Sequence, residues 1–295
     1  MRDQAENLRQ LVQSVNNSCK SPVIKNNKDK ARVIAVTSGK GGVGKTNFTV
    51  NLALAMADLG QKVLIIDADL GTANVDVILG CSTRNNILNL LDEGIQADDV
   101  IANGPRGIKY MSGGSGIYQM ANLDDQQLKY IIGKITKFDN WADIILVDTG
   151  AGLNRTVLNF VTAADEVIIV TTPEPTSITD AYAMMKAYSA NNGNAPLKLV
   201  VNRVIENGEG QVVVDKLIKV AFRFLSLPID SLGFVFEDHN LIKAVKSQTP
   251  LLLLYPDTIS TQCIEHIAQR LLFGKNIPQS NGIKGFFRKF WEMVR

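Results

Sequence analysis

Residues 33–46 read VIAVTSGKGGVGKT, and this stretch decides the fold. Val33, Ile34, Ala35, Val36 and Thr37 form a short apolar, β-branched run of the kind that makes a buried strand. Ser38, Gly39, Lys40, Gly41, Gly42, Val43, Gly44, Lys45 and Thr46 then satisfy GxxxxGK[ST], and a helical pattern runs on through Asn51, Leu54 and Ala57 to Gly60. Strand, glycine loop and helix in that order are the context this phosphate-binding motif requires. Glycines allow successive backbone N–H groups to wrap around phosphate, and the following helix adds the positive end of its dipole. Lys45 reaches toward the β- and γ-phosphates, Thr46 offers a hydroxyl to Mg²⁺, and Asn47 lies in the same first turn.

Working outward, short apolar runs at 33–36, 63–66, 108–111, 144–147, 167–170 and 197–201 alternate with helical patterns. That alternation predicts an α/β fold with a doubly wound, mostly parallel sheet and helices on both faces. The runs at 63–66 and 144–147 lack polar alternation, as central strands do. Each ends in aspartate, Asp67 and Asp148, which places carboxylate oxygens at the sheet edge where open α/β sheets bind ligands. The alternative is that each aspartate caps the helix or turn that follows. Helical patterns at 241–247 and 258–272 close the body.

Composition agrees with a globular protein. The chain has 295 residues, 45% hydrophobic and 20% charged, which excludes collagen, wholesale disorder and a disulfide scaffold. Lys and Arg number 31 against 29 Asp and Glu, a net charge of +2 that argues against a dedicated nucleic-acid binder. Cys19, Cys81 and Cys263 lie far apart without a CxxC, so reduced thiols and a cytoplasmic setting are expected. No apolar run approaches the ~20 residues of a membrane span, and no secretory leader is evident.

The two ends differ from the body at 31–273. Ala5, Leu8, Leu11, Val12 and Val15 recur at helical spacing, so 1–15 reads as a small amphipathic helix; 16–30, rich in Asn and Lys, reads as a flexible linker. Residues 274–282 read as a second linker, and 283–295 as a basic amphipathic helix. Its Phe286, Phe287, Phe290 and Trp291 with Lys284, Arg288 and Lys289 suit the surface of an anionic membrane. Docking of this helix on the body is the alternative.

The extra lysine at Lys40 makes KGGVGKT resemble the deviant Walker A signature of the ATPases that include MinD, ParA and the nitrogenase iron protein. The resemblance covers about 31–272 and extends to Asp67-Ala68-Asp69, to Asp148-Thr149-Gly150-Ala151-Gly152 and to Thr172-Pro173-Glu174. It implies ATP and Mg²⁺ as ligands and a homodimer with two ATPs sandwiched between subunits, Lys40 crossing to the partner's phosphates. Asp69 would position the attacking water, Asp67 would support Thr46 and Mg²⁺, and Asp148 would hold Mg²⁺ through water. Glu174 would reach the partner's ribose, with Asn202 and Asp238 bordering adenine. With Lys45 and Lys40 stabilising charge and no strong base in an obvious position, slow turnover is expected.

Residues 3–9, DQAENLR, resemble the DQAxxLR element of the FlhG/FleN/YlxH family of flagellar number regulators, and Lys243-Ala244-Val245 and Leu253-Leu254-Tyr255-Pro256 are similar to that family's C-terminal region. The resemblance implies stimulation of an FlhF-type GTPase through Gln4, Leu8 and Arg9; the basic amphipathic tail, doubled on an ATP-driven dimer, leads to an expectation of reversible attachment to anionic lipids of the inner membrane. Family members also contact flagellar switch proteins or a flagellar transcriptional activator, and the sequence does not choose between these. The rival readings are a MinD-type division-site regulator, a ParA-type DNA-partitioning ATPase, an iron–sulfur carrier, which the scattered cysteines disfavour, and a scaffold without catalysis.

Overall fold

The computed structural model describes residues 30–69, 75–80, 83–113, 116, 119, 123–274 and 278–294. The expected N-terminal helix with Gln4, Leu8 and Arg9, almost all of the first linker, Cys19 and Cys81 lie outside the described residues.

The strands are β1 (Arg32–Ser38), β2 (Val63–Ala68), β3 (Ile101–Asn103), β4 (Lys109–Ser112), β5 (Ile144–Ala151), β6 (Glu166–Thr171), β7 (Leu197–Val204) and β8 (Ile229–Phe236). They form one sheet in the order β3-β4-β2-β5-β1-β6-β7-β8, parallel except for the edge strand β3. β2, β5 and β1 sit centrally, as the unbroken apolar runs of β2 and β5 predict for those two. Successive residues enter opposite cores: Val33 and Ala35 face one layer of helices, Ile34 and Val36 the other.

One layer contains α1 (Lys45–Asp58), α2 (Val75–Leu79), α9 (Leu251–Leu254) and α10 (Ile259–Phe273). The other contains α3 (Asp125–Ile135), α4 (Lys137–Trp141), α5 (Arg155–Ala163), α6 (Pro175–Ala190) and α7 (Glu209–Leu225), while α8 (His239–Lys246) follows β8. The doubly wound expectation holds. β3 and β8 add edge strands that the sequence reading missed. β8 hid because its pairing with β7 slips at Gly233, so Ile229, Leu232 and Val235 point inward three residues apart instead of two.

The tail departs from the expectation of a helix set apart by a linker. It forms α11 (Gly282–Val294), which packs into the second layer with Ile283, Phe286, Phe287, Phe290 and Trp291 all buried. Phe290 stacks on Phe160 of α5 at 4.3 Å between centroids, and Phe286 lies 6.2 Å from the same ring. Lys284 and Arg288 are exposed and Lys289 is half-buried. The physical reason is that an apolar face at this spacing finds a matching surface beside α5, and Ser280 and Asn281 of the linker are hydrogen-bonded to the body.

Candidate nucleotide site

The site begins where β1 ends. Ser38 Oγ donates to the Lys40 carbonyl at 2.9 Å and starts the loop's turn. Gly39 abuts α6 so closely that a Cβ there would sit 2.1 Å from the Asp180 carbonyl oxygen. Gly44 carries two demands: its φ is +86°, and an added Cβ would lie 2.5 Å from Asn202 Nδ2. That amide donates to the Val43 carbonyl at 2.7 Å, so Asn202 buttresses the loop from β7.

Lys45 opens α1 and is buried. Its Nζ lies 3.1 Å from Asp148 Oδ1 within β5, and Thr49, one turn along α1, donates to the same oxygen at 3.1 Å. The other oxygen, Asp148 Oδ2, is buried without a hydrogen-bond partner. A buried carboxylate oxygen left unmade is costly, and its place beside the phosphate loop fits a hydrated cation. Asp67 stands level with Asp148 on β2, 2% exposed. Its two oxygens accept the backbone N–H groups of Asp69 at 3.1 Å and Val75 at 3.3 Å. Asp69 Oδ1 lies 3.5 Å from the place a Cβ on Gly150 would occupy, so the carboxylate that follows β2 and the last residues of β5 converge.

Lys40 is held by the start of α6. Its Nζ meets Glu174 Oε2 at 2.6 Å and Thr176 Oγ1 at 2.9 Å at the start of α6. Hydrogen bonding and the charge of Lys40 hold the Glu174 carboxyl below the usual glutamate range. Arg203, with φ of +60°, continues the lip, 3.9 Å from Glu174 and 3.3 Å from Glu237.

The structure thus brings together the loop residues Gly39 to Thr46, Asn47, Asp67, Asp69 and Asp148. Glu174 touches Lys40, and Asn202 touches the back of the loop. Asp238 caps α8 by accepting the Asn240 N–H at 2.8 Å. Sequence reasoning missed Thr49, Thr176 and Arg203. Thr49 was findable, since it lies four residues after Lys45 on one helical face; Arg203 had no local signal.

The profile of a family described as ParA, the NUBPL iron-transfer P-loop NTPases, matches residues 29–272. The antiactivator FleN of Pseudomonas aeruginosa is 39% identical over 81% of this chain and 86% of its own. The flagellum site-determining protein YlxH of Helicobacter pylori is 38% identical over 89% of this chain and 90% of its own. Among solved structures, the MinC:MinD cell division complex of Aquifex aeolicus has 30% identity and a TM-score of 0.65, covering 85% of this chain and 99% of that one. MinD of Pyrococcus horikoshii with Mg-ADP has 25% identity and a TM-score of 0.66, covering 83% and 98%. The chain belongs to the ParA/MinD-type P-loop ATPases, in the group that holds FleN and YlxH.

Proposed function

We propose that this protein is an ATP-driven switch that regulates flagellar number or placement, pairing on ATP, attaching to the inner membrane while paired, and stimulating an FlhF-type GTPase through its N-terminus. The single observation that carries the reading is the combination, in one body, of a complete phosphate loop and a docked helix whose buried face would serve equally well in a lipid interface. The likeness to FleN and YlxH supplies the flagellar context.

In this reading the loop N–H groups and Lys45 hold the ATP phosphates. Thr46, Asp67 and Asp148 hold Mg²⁺, which supplies charge neutralisation when bound; the orphaned Asp148 Oδ2 supports that assignment. Nucleotide draws Lys45 away from Asp148 toward phosphate. Asp69 holds the attacking water, and Lys45 with the partner's Lys40 stabilises charge on the transferred group. To cross, Lys40 leaves Glu174 and Thr176. The site contains no histidine, which fits slow turnover and a timer's role.

Docking and membrane binding use the same face of α11 and so compete. Burying Ile283, Phe286, Phe287, Phe290 and Trp291 is worth up to roughly 15 kcal/mol before ordering costs, at ~1.5–3 kcal/mol each. Only another apolar environment offsets that loss. Two tails on one dimer gain on the order of 10²- to 10⁴-fold over one, so pairing is read out as attachment.

The test is co-sedimentation with anionic vesicles, with and without Mg-ATP, of the full chain and of a chain ending at Phe273. Binding by the full chain alone, strengthened by ATP, is expected; binding that ignores ATP or survives loss of the tail removes the switch. A second reading, a MinD-type division-site regulator, is favoured by the fold likeness to the MinC:MinD complex. Deleting residues 1–15 separates the two: loss of GTPase stimulation with ATP-dependent pairing intact supports the flagellar role.

A further inference from the structure

At the start of β1, remote from the phosphate loop that follows its end, the two ends of the described chain meet over shared acceptors. Asp165, between α5 and β6, accepts the Val33 N–H at 3.0 Å on Oδ2. On Oδ1 it accepts the Asn281 N–H at 3.1 Å and Asn281 Nδ2 at 2.6 Å. Asp139 of α4 accepts the N–H groups of Ile283 at 2.6 Å and Lys284 at 3.4 Å, and also a backbone N–H of Ala31. Ser280 Oγ donates to the Lys30 carbonyl at 3.0 Å. The fit is close: Gly282 has φ of +74°, and a Cβ there would lie 2.6 Å from Asp139 Oδ1.

A carboxylate that only capped α11 would need no bond to the chain entering β1. Here each of two carboxylates serves both, and Ala31 beneath them is fully buried. If α11 leaves, Asp165 Oδ1 and the inner oxygens of Asp139 lose donors, Lys30 loses Ser280, and water reaches the entry to β1.

We infer that Asp139 and Asp165 form a joint through which docking of α11 fixes the entry to β1 at residues 30–33, so that this entry and the tail are held or released together. It deepens the proposed two-ended output, coupling the tail to the entry into which the N-terminal segment leads. A membrane that takes the tail loosens that entry; a partner that pulls on the entry loosens the tail. Linkage makes the two effects equal in factor.

The test is hydrogen exchange on the full chain without nucleotide, vesicles or partner, so its outcome is independent of the switch reading. In Phe290→Asp, which opens the tail, the amides of residues 30–33 are expected to exchange at least about tenfold faster together with 282–294, while those of β5 keep their protection. Continued protection of 30–33 in a variant with an open tail overturns the joint. Asn281→Ala keeps the apolar face and removes one side-chain bond, covering the case in which the first variant loses its fold. It is expected to speed exchange in both segments by about 2- to 10-fold, the ratio one hydrogen bond carries. A change in only one segment overturns the inference.

Discussion

The two ends of β1 carry two kinds of site. At its C-terminal end the phosphate loop is built from residue types with few substitutes: glycine at φ of +86°, a lysine facing Asp148, a threonine beside it. At its N-terminal end the tail root is built from ordinary acceptors 116 and 144 residues away in sequence, and from an apolar helix face. The first kind of site names its ligand, since only phosphate uses that set of donors. The second names only the polarity of what covers it. A protein core covers the face of α11 in this structure, and an apolar face of this kind specifies only that its cover be apolar.

If the two ends have separate tasks, variants should separate them. The largest effect is expected from Asp69→Ala. ATP hydrolysis should fall by at least about a hundredfold, the scale of losing a group that handles the attacking water, and the ATP-bound pair should persist on vesicles. Tail docking without nucleotide should stay as it is, read from Trp291 emission in a Trp141→Phe background. Ordinary hydrolysis in this variant would show that the water is held elsewhere. Next comes Phe290→Asp, which removes the ring stacked at 4.3 Å on Phe160 and puts a charge in its place. Docking should weaken by about 3–5 kcal/mol, with a red shift of Trp291 emission and ATP binding retained.

Within the loop itself, two glycines of similar φ provide a finer contrast. Gly42, at +79°, has nothing within 4 Å of an added Cβ, whereas Gly44 meets Asn202 Nδ2 at 2.5 Å. Gly42→Ala should cost about 1 kcal/mol from backbone strain alone, and Gly44→Ala about 2 kcal/mol because Asn202 must also move. Thermal unfolding compares them; equal losses would mean that Asn202 is not a buttress.

The same contrast sets what could be read in advance. The parallel sheet, the loop and the paired Asp67 and Asp148 were legible because period and motif are local. β8 was not, because its slip at Gly233 breaks the two-residue period. Nor was Glu174 as the partner of Lys40, since that contact spans 134 residues. The amphipathicity of the tail was legible and its docked position was not, because Asp139 and Asp165 carry no mark of their role in the sequence.

The smallest effect expected concerns those two carboxylates and pH. Burial pushes both Asp139 and Asp165 above the ordinary aspartate value of 3.8, and the hydrogen bonds they accept oppose this only in part. A group whose pKa is higher in the folded chain than in the unfolded one binds more protons when folded, so the stability these two contribute falls as pH rises through the window above 3.8 and is constant once both are ionised. Neutral pH therefore finds the fold least stabilised by these groups, and mild acid stabilises it. The facing charges are Lys30 near Asp139 and Lys289 near Asp165. In the Trp141→Phe background, the urea midpoint of Trp291 emission should rise on acidification into that window. In Asp139→Asn/Asp165→Asn the slope should flatten, since neither position titrates. A wild-type slope that survives both substitutions would place the titrating groups elsewhere and leave the joint as a set of bonds without a pH response.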